Sequence, residues 1–165
     1  RALFDHVDID PAFTHLPNGR VGKEDVPDEC DRFERLIREA GGIDLQLLGI
    51  GRNGHIGFNE PGSTRHSRTR LVDLHETTRA DAAPAFDGRL APRQAISMGI
   101  ATILEARSLR VLAFGSKKAS ILRSAIHGAV GPDVPASFLR GHADLAWWLD
   151  REAASELEEE SSTTA

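Results

Sequence analysis

Apolar residues recur along this chain at two different periods, and the switching between the periods outlines its elements. From Pro27 to Ala40 the apolar positions Cys30, Phe33, Leu36, Ile37 and Ala40 fall three or four apart, with Pro27 in the first turn and Gly41-Gly42 behind the last. That spacing predicts an amphipathic helix. Ile43-Asp44-Leu45-Gln46-Leu47-Leu48 alternates, then becomes continuously apolar before a glycine-rich run from Gly49 to Gly54, which predicts a buried strand feeding a loop. Arg70 to Leu74 fits a short strand, and Glu76 to Ala83 a short helix that Pro84 stops. Leu109 to Phe114 predicts a second buried strand, followed by a Gly115-Ser116 turn and a helix carrying Ala119, Leu122, Ala125 and Ile126 up to Gly128. Leu145 to Leu149 is a last candidate strand, and Arg151 to Leu157 a closing helix.

Strands alternating with helices predict an α/β layered domain over residues 1–157, with a mainly parallel sheet flanked by helices and sites beyond the carboxyl ends of its strands. Two junctions qualify, Gly49 to Glu60 and Gly115 to Lys118. The Glu- and Ser/Thr-rich residues 158–165 are expected to form a disordered tail. A length of 165 residues holds one core.

Charge narrows the function classes. Twenty Lys and Arg stand against 25 Asp and Glu, a formal charge of -5, so the whole chain has no net attraction for phosphate backbones or anionic lipid, which argues against nucleic acid as the main partner. No apolar stretch is long enough for a membrane span and none near the start resembles a secretion signal, so the expected location is cytoplasmic. Cys30 is the single cysteine, which rules out an intrachain disulfide or a thiolate metal cluster. The chain begins at Arg1 and passes at once into Leu3, Phe4, Val7 and Ile9, and reads as a fragment.

The segment Gly51-Arg52-Asn53-Gly54-His55-Ile56-Gly57-Phe58-Asn59-Glu60 places an imidazole, a carboxylate and two carboxamides directly after a buried strand. A histidine moves protons near neutral pH, and a nearby carboxylate stabilises its charged form. The same residues also fit plain turn formation, with Asn53 and Asn59 in turns and Glu60 solvated. The spacing is not that of a zinc site. Lys117 and Lys118 stand where the first turn of a helix repels cations, a penalty that a bound phosphate would reverse; two solvated lysines are the alternative. Arg65, Arg68 and Arg70, interleaved with Ser63, Thr64, Ser67 and Thr69, suit a second phosphate, a subunit contact or a solvated basic face. The other histidines, His75 among them, read as structural or surface residues, and Trp147 and Trp148 as core or interface anchors.

The run from Leu48 to Gly62 resembles the signature segment of the glucosamine-6-phosphate deaminase family. Supporting similarity lies in Phe4 to Ile9, Ser67 to Arg70, Met98 to Leu104 and Gly115 to Ala119. The resemblance implies a Rossmann-like fold shared with 6-phosphogluconolactonases. It also implies conversion of glucosamine 6-phosphate and water to fructose 6-phosphate and ammonia, with no organic cofactor and no metal. It makes His55 and Glu60 the ring-opening pair, Asn53 the third relay member at a position held by Asp or Asn, and Lys118 the phosphate lysine. Gly49 and Gly54 fall in the substrate-binding loop.

Departures from the family pattern qualify this. The aspartate that takes the C2 proton and a phosphate-binding loop match no segment of this sequence and would lie upstream of Arg1, so the chain is expected to be catalytically incomplete. Pro84 stands where an arginine usually grips the phosphate. Ser63 and Arg70 match an allosteric phosphate site, but Val72 replaces a lysine and the chain has no tyrosine, which implies weak or absent allostery. Further readings are a non-catalytic sugar-phosphate-binding protein, a deaminase for another hexosamine 6-phosphate such as galactosamine 6-phosphate, and a lactonase. The resemblance spans monomers and hexamers, so a homo-oligomer is open.

Overall fold

The computed structural model describes residues 4–86 and 91–157. Three parallel strands form the main sheet in the order β1 (Leu45–Gly49), β4 (Ser108–Ala113), β5 (Leu145–Leu149). Leu48 pairs with Val111, and Val111 with Trp147. A second, antiparallel pair joins β2 (Arg70–Asp73) to β3 (Gln94–Ser97), with Arg70 opposite Ser97.

The helices are α1 (Val26–Glu39), α2 (Glu76–Ala82), α3 (Ile100–Leu104) and α4 (Ala119–His127). In α1, Pro27 opens the helix, Asp28 and Glu29 face the positive end of its dipole, and Arg38 the negative end. The chain then leaves through Gly41 and Gly42, both in the left-handed region with φ of 87° and 93°, where a side chain would be strained.

Alternation along the strands sorts the two faces of the main sheet. Leu48, Leu109, Val111 and Ala113 point into one core with Ile100 and Ile103 of α3, Leu122 and Ala125 of α4, and Leu139 from a 3-10 segment, Pro135–Gly141. The intervening positions Leu45, Leu47, Leu112 and Trp148 are exposed on the other face. Trp147 therefore packs against the core, while its neighbour Trp148 does not.

Three expectations are revised. Gln94–Ser97 and Ile100–Leu104 are elements that periodicity did not identify. Lys117 and Lys118 belong to a 3-10 turn, Ser116–Lys118, that precedes α4. Arg151 to Leu157 forms linked turns rather than a helix: the Asp150 carboxylate accepts the Ala153 N–H at 2.8 Å, Ala153 is pinned in the core, and one turn cannot propagate alone. The expected tail, 158–165, lies outside the described residues.

Candidate active site

The two junctions singled out from the sequence meet at one pocket. β1 and β4 are adjacent and parallel, with Gly49 level with Leu112, so the loops leaving their carboxyl ends converge. Gly49, Gly51, His55 and Phe58 line the pocket from the first loop, Thr78 and Asp81 from α2, and Lys118 from the second loop. Its volume is about 360 Å³, enough for a small metabolite.

His55 sits in this wall because Gly51 has no side chain. A Cβ at Gly51 would lie 2.2 Å from the imidazole. Behind the ring, Asn53 Oδ1 is 2.7 Å from His55 Nδ1, and Asn53 Nδ2 donates to Glu60 Oε2 at 2.6 Å. A carboxylate only accepts, so the amide nitrogen must face Glu60 and the amide oxygen must face the imidazole. The neutral ring is then protonated at Nδ1, and Nε2 carries the lone pair. Glu60 Oε2 is 3.6 Å from Nδ1, and Glu60 Oε1 accepts the backbone N–H of His75 at 3.2 Å. Burial lowers the His55 pKa below 6.5 and Lys118 pushes in the same direction, against the pull of Glu60 and Asp81. The imidazole is thus a neutral base at and somewhat below neutral pH.

Lys118 is half-buried and donates from Nζ to the Ile50 carbonyl at 2.8 Å. Burial lowers its pKa from 10.5, while nearby Asp81 raises it and Arg52 lowers it. Arg52 itself is engaged by Asp81 through two hydrogen bonds of 2.6 and 2.9 Å. The Gly115 amide is not free for a phosphate, since the Asp150 carboxylate already accepts that N–H at 3.0 Å.

The remaining candidates separate. Gly54 does not line the pocket; it has φ of 85°, and a Cβ there would meet Val134 at 2.9 Å. Ser63 and Arg70 come together at a neighbouring hollow, Arg70 donating to Ser63 Oγ and to Asn59 Oδ1, each at 2.8 Å. Burial lowers the Arg70 pKa. Pro84 is exposed in a 3-10 turn, Ala83–Phe86. Sequence reasoning missed Thr78, whose Oγ1 is 3.2 Å from His55 Nδ1 across 23 residues, and Asp81; no local spacing marks either. It also passed over His75, whose side chain caps α2. Among the described residues no three His, Cys, Asp or Glu side chains cluster to hold a metal ion, and no helix is long and apolar enough to cross a membrane.

A family described as glucosamine-6-phosphate isomerases/6-phosphogluconolactonase matches residues 1–147. Proteins named glucosamine-6-phosphate deaminase from Rhodopirellula baltica and Halothermothrix orenii are 52% and 50% identical to this chain, each over 94% of it. The chain spans 62% and 64% of their lengths. A solved structure described as a monomeric glucosamine-6-phosphate deaminase superposes with a TM-score of 0.86 at 45% identity, over 93% of this chain and 63% of the other. The 6-phosphogluconolactonase of Trypanosoma cruzi, at 23% identity, a TM-score of 0.64, and coverage of 85% and 55%, shares the fold.

Proposed function

Because this chain belongs to the glucosamine-6-phosphate isomerase/6-phosphogluconolactonase family, we propose that it serves the conversion of glucosamine 6-phosphate and water to fructose 6-phosphate and ammonia. The observation that carries this reading is the Glu60–Asn53–His55 chain of hydrogen bonds behind a pocket that Lys118 also lines. Relatives at 50% identity or more that bear the deaminase name support that choice within the family.

In this mechanism Lys118 pairs with the sugar phosphate. Nε2 of His55 takes the proton of the anomeric hydroxyl and returns it to the ring oxygen, which opens the ring to an aldehyde. The imidazolium formed in between is stabilised from behind. Its Nδ1–H points at the Asn53 oxygen, and Asn53 is oriented and polarised by the Glu60 carboxylate. The amide passes on orientation and polarisation without itself carrying the proton. The C2 proton then moves to C1 while a proton of the amine passes to O1, giving an imine at C2; water adds there and ammonia leaves. No residue of this chain is assigned the C2 proton transfer.

Pro84, at a position where the resemblance expects a phosphate-gripping arginine, favours a second reading, a protein that binds sugar phosphates without turning them over. Incubation of a form of this chain extended upstream in its source gene with glucosamine 6-phosphate, galactosamine 6-phosphate or 6-phosphogluconolactone, beside its Glu60→Gln variant, separates the readings. Glu60-dependent ammonia release from an amino sugar phosphate is expected. Saturable binding without ammonia supports the binder, and lactone hydrolysis without ammonia replaces the deaminase reading.

A further inference from the structure

Helix α2 touches the relay at two places and the loop that carries it at a third. Its capping residue, His75, donates its backbone N–H to Glu60 at 3.2 Å. Asp81, in its last turn, holds Arg52, the neighbour of Asn53. Between them, Thr78 brings a hydroxyl oxygen to 3.2 Å from His55 Nδ1.

Thr78 is the buried residue of this helix, 5% exposed. The other side chains of α2 give no reason for a threonine there, since a hydroxyl at a buried helical position competes with the helix backbone and an alanine or valine would fill an apolar site. The Nδ1–H of His55 is directed at Asn53 Oδ1, so the Thr78 oxygen is a second, weaker acceptor for the same proton. Both acceptors favour the same tautomer, and both bear more strongly on the imidazolium than on the neutral ring.

We propose that Thr78 is a positioning residue of this site, its hydroxyl holding His55 in the Nδ1–H tautomer with Nε2 free toward the pocket and stabilising the ring when it is charged. The proposal rests on the reading of His55 as the proton carrier and extends it to a residue on a different element. The charged and titratable groups facing His55 are Glu60 from its own loop, Asp81 from α2 and Lys118 from the turn after β4; Thr78 adds a neutral dipole to that set.

The test is a ring-nitrogen NMR titration of His55 in this chain, in Thr78→Val and in Thr78→Ser, with the His55 signals assigned by their loss in His55→Gln. It needs no substrate, so it reads the inference even if no ammonia is released. Thr78→Val is expected to lower the His55 midpoint by at least about half a pH unit, the size of a weak hydrogen bond to a charged ring, and Thr78→Ser to leave it near that of the unaltered chain. A midpoint unmoved or raised in Thr78→Val overturns the proposal. So does a Thr78→Ser shift as large as that of Thr78→Val, since the methyl group rather than the hydroxyl would then matter. Should Thr78→Val fail to fold, Thr78→Ala removes the hydroxyl from a helix-compatible residue and the same criteria apply.

Discussion

The imidazole of His55 lies flat against the bare Cα of Gly51, so close that a methyl group on Gly51 would stand 2.2 Å from Cε1 and Nδ1 of the ring. The backbone at Gly51 is also closed onto His55 by the hydrogen bond from Gly51 N–H to the His55 carbonyl, at 2.9 Å. Gly51→Ala therefore has to displace the ring. Ammonia release by an active form of the protein is expected to fall about 100-fold or more, the usual size of a lost general-base contribution, while sugar-phosphate affinity changes less. Steady-state rates beside direct binding measurements check this.

Lys118 pairs with substrate in the proposed mechanism and takes no part in the proton relay. Lys118→Ala is expected to raise KM about 10- to 100-fold, as for loss of one charge-assisted hydrogen bond, with a small change in kcat. An unchanged KM would make this lysine a structural tie to Ile50.

The amide at Asn53 keeps the negative charge of the relay on Glu60. Asn53→Asp would set a carboxylate 2.7 Å from His55 Nδ1 and 2.6 Å from Glu60 Oε2, where the two carboxyl groups hold one proton between them, and their single negative charge, drawn nearer the imidazole, raises the His55 pKa. Burial holds the unaltered His55 below 6.5, so the acidic limb of kcat/KM should lie below that pH and move upward in Asn53→Asp. Limbs that coincide in the two proteins would remove His55 as the base.

Two carboxylates of α1 predict acid sensitivity of the fold. Glu29 is lowered from 4.5 to about 2 by its hydrogen bond to Arg32 and by that from the Asn18 amide. Burial pushes Glu34 up, but hydrogen bonds from Thr102 and Thr69 outweigh it and hold Glu34 below its ordinary value. A depressed folded pKa contributes stability that is complete above the unfolded value and is lost as pH falls through the folded one. Urea midpoints should therefore decline from about pH 4.5 toward pH 2. Glu34→Ala, which strands the Thr69 and Thr102 donors, is expected to cost about 3 kcal/mol at neutral pH.

The open face of the main sheet is the remaining anomaly. Leu47 and Trp148 are each 61% exposed along a groove of about 590 Å³, whereas parallel sheets are ordinarily covered on both faces. This chain by itself is expected to bind an apolar fluorescent dye there. A double change, Leu47→Glu with Trp148→Glu, should abolish that binding and leave the far-UV circular dichroism spectrum in place.

The elements whose residues repeat with a clear period were legible in the sequence: α1, β1, β4, α4 and β5 lie within a residue or two of their expected bounds. The loop chemistry was legible too, because Gly51, Asn53, His55 and Glu60 are neighbours in the chain and their types alone suit proton transfer. Tertiary structure decided what lies between elements. It brought Lys118 beside the His55 loop by setting β4 against β1, took the Gly115 amide away for Asp150, and set Thr78 on the back of the imidazole. It also decided that Trp147 is core and Trp148 is not, since the pleat of one strand turns neighbours to opposite faces and only packing chooses which face is covered.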